Sequence, residues 1–148
     1  MNQISRTQLK YQSIFGADLT IESVLLQKPI EADETIQDIV PNQPKVWILA
    51  LQKMLGVNQN IVLDLIGMHP SRLSRSKVNR FEIIERAAEV IKIFSRLEET
   101  LGTQKAQHWL NAPHLLLEGN TPLQLMRSIA GLNKVTDLIL ALEDGVFL

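Results

Sequence analysis

The chain has 148 residues, 45% of them hydrophobic and 21% charged, which suits one domain or two small helical modules and excludes wholesale disorder. It contains no cysteine, so disulfide frameworks and thiolate chemistry are excluded, and no apolar run approaches the roughly 18 residues of a membrane span. The first residues also lack the apolar core of a signal peptide, so the expectation is a cytoplasmic protein with no membrane contact.

The net charge of −1 is unevenly spread. Residues 1–44 carry 3 basic and 6 acidic side chains, residues 45–105 carry 10 and 6, and residues 106–148 carry 2 and 4. A basic middle between acidic ends is compatible with phosphate contact, and an ordinary solvated surface explains it equally well.

Residues 1–44 read as a variable arm that orders only in part. Ile21, Val24 and Leu25 suggest a short amphipathic helix, Glu31 to Asp38 is acidic, and Pro41 and Pro44 mark a boundary, because the residue before a proline is pushed out of the helical region. From Lys45, helical signals are dense. Val46, Trp47, Ala50, Leu51, Met54 and Leu55 recur at helical spacing up to Gly56. Asn58 is an N-cap for a helix through Ile61, Val62, Leu65 and Ile66 that stops at Gly67, and Pro70 suits the first position of a third.

Asn60 to Ser76 fits a helix-turn-helix frame, in which a tight turn containing Gly joins two helices and the second faces DNA. In that frame Arg72 and Arg75 project outward, with Lys77 and Arg80 following; the arginines can pair with guanine edges or phosphates, while Ser71, Ser74 and Lys77 hold backbone. Leu63 is bulky for the frame, His69 is a poor cap, and Ser76 stands where an apolar contact is usual. A structural hairpin with a basic rim is the competing reading.

Phe81 to Leu101 reads as the longest helix. Ile83, Ala87, Val90, Phe94, Leu97 and Leu101 form one continuous seam, with Ile84, Ala88 and Ile91 beside it. So wide an apolar arc needs cover from two sides, which makes the Ile83, Ala87, Val90, Phe94 and Leu97 seam a candidate homodimer surface, with burial inside one chain as the alternative. Thr103 can cap a further helix ending at Trp109-Leu110. Thr121-Pro122-Leu123-Gln124 is a helix start with a capping box, expected to run to Gly131. A last helix carries Val135, Leu138, Ile139 and Leu142, and Gly145 terminates it. No strand pattern of useful length occurs, so the expected fold is all-α.

Catalytic chemistry finds little footing. His69, His108 and His114 form no i, i+4 ligand pair, so no metal site is expected. Adjacent carboxylates at Glu98-Glu99 and Glu143-Asp144 diverge on a helix and read as solvated charge. No nucleophile elbow, P-loop or dinucleotide fingerprint is present. The expectation is a binding protein with no catalytic residue and no cofactor.

The C-terminal third is the most specific stretch. It reads Ala106, Trp109 and Leu110; Pro113; Leu117 and Gly119; Thr121, Pro122, Leu123 and Leu125; Gly131; Val135; then Gly145 and Val146. This order resembles the toxin-binding domain of Xre/MbcA/ParS-type antitoxins, without a gap from Ala106 to Leu123. The hairpin and long helix precede it in the family's order, so the resemblance covers roughly residues 45–148. Two departures stand out: His114 replaces an Asn, and Glu118 replaces the first of two glycines. Because Glu adopts positive φ less cheaply than Gly, this loop is expected to take a different conformation.

The resemblance implies a type II antitoxin that neutralises a toxin encoded by an adjacent gene, typically a NAD-consuming RES-type toxin. It implies binding at the toxin's active-site entrance and repression of its own operon as a DNA-binding homodimer. It places toxin contact at Trp109, Pro122, Gly131, Glu143, Asp144, Gly145, Val146, Phe147 and Leu148. Physically, Gly145 frees a three-residue apolar tail. That tail is either a plug for a partner or a flap folded over Leu138 and Leu142. The expected organisation is an arm over 1–44, a helix-turn-helix-like module over 45–80, and the long helix with the toxin-binding domain over 81–148. A free-standing helix-turn-helix regulator that uses the C-terminal domain only for dimerisation is the alternative.

Overall fold

The computed structural model describes residues 5–16, 44–68 and 81–145, and every regular element among them is helical. The chain divides into two compact units, Met1–Ile91 and Lys92–Leu148.

The first unit opens with a helix that the acidic, proline-marked N-terminal region did not announce. Helix α1 (Arg6–Phe15) begins at a capping box: Gln8 N donates to Ser5 Oγ at 3.1 Å, and Ser5 N donates to Gln8 Oε1 at 3.1 Å. These bonds satisfy two of the donors that a helix start leaves orphaned. Tyr11, Ile14 and Phe15, spaced i, i+3, i+4, are buried. The Tyr11 hydroxyl donates to the Ala88 carbonyl at 3.1 Å, and Phe15 meets Trp47 edge-on with ring centroids 5.6 Å apart. Residues 1–44, read as a variable arm that orders only in part, therefore include a core helix at Arg6–Phe15. The short helix expected around Ile21 to Leu25 lies outside the described residues.

Helix α2 (Pro44–Leu55) contributes Trp47, Ile48 and Leu51 to the same core. Helix α3 (Gln59–Ile66) is capped by Asn58, whose Oδ1 accepts from Ile61 N at 3.0 Å, as the sequence indicates. It ends at Gly67, φ 72°, with Met68 N donating to Leu63 O at 2.9 Å across the turn, the pattern of a Schellman cap. Met68 is buried, supplying the apolar contact that accompanies such caps. Leu63, too bulky for a standard helix-turn-helix contact, is itself core.

Helix α4 runs from Phe81 to Leu101, the span that apolar periodicity predicts. Its Ile83, Ala87, Val90, Phe94 and Leu97 are each at most 2% exposed within the single chain. Burial inside one chain, the alternative reading of this seam, is what the single chain displays. In the first unit α1 covers part of this arc: Tyr11, Ile14 and Phe15 share one core cluster with Ile83, Ile84, Ala87, Ala88 and Ile91.

In the second unit, Gly102 alone separates α4 from α5 (Thr103–Asn111). A single 3-10 turn (Leu115–Leu117), a short helix α6 (Pro122–Leu125) and helix α7 (Ile129–Glu143) complete it, with α6 packed on both α5 and α7. Among its described residues, Ile93, Phe94, Leu97, Ala106, Leu110, Leu117, Leu123, Met126, Leu132, Val135, Ile139 and Leu142 are buried hydrophobic side chains.

Gly131 does not end a helix, contrary to the sequence expectation. It lies inside α7, where its N–H donates to the Ser128 N-cap oxygen at 3.0 Å. The helix that Thr121-Pro122 starts stops after one turn, and Ser128 starts the next one.

Candidate functional site

The loop from Ala112 to Ser128 is organised around His114. Its amide donates to Asn120 O at 3.1 Å, and its carbonyl accepts from Leu117 N and Gly119 N, each at 3.0 Å. Its ring lies beside the half-buried Trp109, centroids 4.8 Å apart, and Nε2 contacts the Trp109 carbonyl at 3.0 Å. A carbonyl oxygen only accepts, so this contact places the proton on Nε2. His114 thus ties the end of α5 to both sides of the 3-10 turn.

Glu118 closes that turn at φ 57°, ψ 36°, in the left-handed region, followed by Gly119 at φ 81°. Among the described residues it is the one non-glycine at positive φ. Glu118 takes up the left-handed geometry itself, despite its Cβ. For a residue with a Cβ that costs about 1–2 kcal/mol. Asn120 supports the same corner, its amide N–H and its side-chain Nδ2 both donating to Leu117 O at 3.0 Å.

Thr121 then caps α6 with the capping box read from the sequence: Gln124 N donates to Thr121 Oγ1 at 3.1 Å, and Thr121 N donates to Gln124 Oε1 at 2.8 Å. Pro122, at the first helical position, is buried. Gly131 is buried as well, and a Cβ added there would collide with the Leu125 carbonyl oxygen. Both residues shape this surface from below.

Glu143 and Asp144, at the exposed end of α7, differ in their bonding. The Glu143 carboxylate accepts two bonds from Arg96, from Nε at 3.1 Å and from Nη2 at 2.9 Å. Asp144 acts through its backbone, its N–H donating to Leu140 O at 3.1 Å, and Gly145 at φ 80° follows. Trp109, Pro122, Gly131, Glu143, Asp144 and Gly145 thus all belong to the second unit.

Val146, Phe147 and Leu148 lie outside the described residues, as do Ser71, Arg72, Ser74, Arg75, Lys77 and Arg80. The sequence reading passed over Arg96, Leu115 and Leu116. Arg96 carried no signal because its partner is 47 residues away, whereas three consecutive leucines directly after Pro113-His114 could have been noticed. Among the described residues no cluster of three potential metal-ligating side chains occurs, and no helix is long and apolar enough to cross a membrane.

Residues 96–145 match the family described as antitoxin Xre/MbcA/ParS C-terminal toxin-binding domain. The match begins within α4 at Arg96 and ends at Gly145, so it encloses the His114 loop, α6, α7 and both partners of the Arg96–Glu143 pair. No curated protein matches the chain.

Proposed function

With residues 96–145 belonging to the antitoxin Xre/MbcA/ParS toxin-binding family, we propose that the chain neutralises a NAD-consuming, RES-type toxin encoded by an adjacent gene by binding at the entrance to its active site. The observation that carries this reading is the family match over residues 96–145, within the second unit. The protein acts in the cytoplasm, without a cofactor and without catalysis of its own. Trp109 together with the α7 end at Glu143, Asp144 and Gly145 forms the contact surface, and the apolar tail Val146, Phe147 and Leu148 reaches the toxin.

In the same reading the chain represses its own operon as a homodimer, with Ser71, Arg72, Ser74, Arg75, Lys77 and Arg80 on operator DNA. The Asn58-capped α3 and its left-handed stop at Gly67 support this, being what the first helix and turn of a helix-turn-helix require.

Co-expression with the product of the adjacent gene tests the proposal. Growth arrested by that product alone should be restored by the full chain. A chain that leaves the arrest unchanged at equal expression would refute the neutralising role. A free-standing regulator would leave growth arrested yet lose operator binding on Arg72→Ala with Arg75→Ala.

A further inference from the structure

The second unit exposes two leucines at one place. Leu115 is 97% exposed and Leu116 55%, while Leu117, the third of the run, is 1% exposed. An isolated surface leucine is ordinary, since much of any folded surface is apolar. These two differ in how they are held. They sit on a single 3-10 turn pinned by the His114 carbonyl on one side and by the Asn120 bonds on the other. The turn closes through a left-handed Glu118. Backbone strain of this kind persists where surrounding structure over-determines it, and it gathers at ligand clamps.

The surroundings specify the kind of partner. From Ala112 to Met126 the chain carries one charged side chain, Glu118. Depletion of charge around exposed apolar side chains is the composition of an interface core rather than of a solvated loop. Trp109, half-buried, lies with its ring 4.8 Å from that of His114, the residue directly before the leucines. The turn falls inside the segment whose family is defined by toxin binding.

We infer that Leu115 and Leu116 form the apolar anchor of toxin recognition, inserting into an uncharged, apolar cleft of the toxin with the Trp109–His114 ring pair behind them. This rests on the toxin-binding reading of the domain. The turn pre-organises the two side chains, so little conformational freedom is lost when they are covered.

Full-length chain, its Leu115→Ser and Leu116→Ser variants, the double variant and a Val46→Ser control in the first unit should be titrated against the adjacent-gene toxin. Thermal unfolding of each is recorded alongside. The inference expects roughly tenfold weaker binding for each leucine variant and a larger loss for the pair, the signature of hot-spot side chains. Unfolding midpoints should stay unchanged, because the side chains are already exposed, and Val46→Ser should bind as wild type. Wild-type binding with a double variant within twofold of it would overturn the anchor while leaving the toxin-binding reading intact. Absence of wild-type binding would overturn both. A double variant that loses self-association while keeping its toxin affinity would assign the patch to a second copy of the chain and overturn the inference.

Discussion

Arg96 and Glu143, 47 residues apart in sequence, meet in a two-point fork at 3.1 and 2.9 Å. The pair fastens the last turn of α7 to α4 and so sets the point from which the chain leaves at Gly145. Each side chain is about one third exposed, 32% and 30%, so solvent screens the attraction. A double-mutant cycle with Arg96→Ala and Glu143→Ala, followed by denaturant unfolding, should return a coupling below about 1 kcal/mol that shrinks further in high salt.

Gly131→Ala inverts the usual rule for helices. Inside an unobstructed helix the change stabilises by about 1 kcal/mol. Here the new Cβ would meet the Leu125 carbonyl, which is backbone and has little room to move. The expected result is destabilisation of about 3 kcal/mol or more, read as a lower denaturation midpoint, since overpacking costs 1–3 kcal/mol even where side chains can adjust. A midpoint equal to or above wild type would mean that α6 and α7 are not in contact at this point.

Glu118→Gly removes the cost of a left-handed residue with a Cβ. It should raise stability by about 1 kcal/mol, whereas Glu118→Ala, which keeps the Cβ and the positive φ, should not. Thermal unfolding of the two variants side by side separates the backbone effect from the loss of charge.

Tyr11 gives the first unit an alkaline limit. Burial, reinforced by the nearby charge of Glu89, raises the pKa of its phenol well above the ordinary value near 10. The folded state therefore keeps the proton where the unfolded chain releases it. This contribution is fully present below pH 10 and is lost as the pH rises toward the folded-state value, at up to about 1.4 kcal/mol per pH unit. Stability measured between pH 9 and 11.5 should fall above pH 10 in the wild type and should fall less in Tyr11→Phe. That variant should also lose about 1 kcal/mol at neutral pH with the bond to the Ala88 carbonyl.

Much of the fold is legible in the sequence where local chemistry decides it. The Asn58 cap, the stop at Gly67, the Phe81–Leu101 helix and the Thr121 capping box all follow from residues within one or two turns of each other. What escapes is decided at a distance. The Ser5–Gln8 box is a local signal, yet the acidic, proline-marked stretch that follows makes the region read as an arm, and only the packing of Phe15 against Trp47 shows otherwise. Gly131 reads as a stop signal because its reason for being glycine, the Leu125 carbonyl, comes from a different helix. The candidate surface is legible in its motif residues, while the division of Leu115, Leu116 and Leu117 between solvent and core depends on how His114 folds the loop.

Amide hydrogen exchange of the full-length chain, alone and saturated with the proposed toxin, the adjacent-gene product, reads where the partner binds. Protection gained on binding should concentrate between residues 96 and 148, strongest around Trp109 to Glu118 and at the end of α7. Protection confined to the first unit, or no change in exchange at saturating toxin, would contradict toxin binding by the second unit.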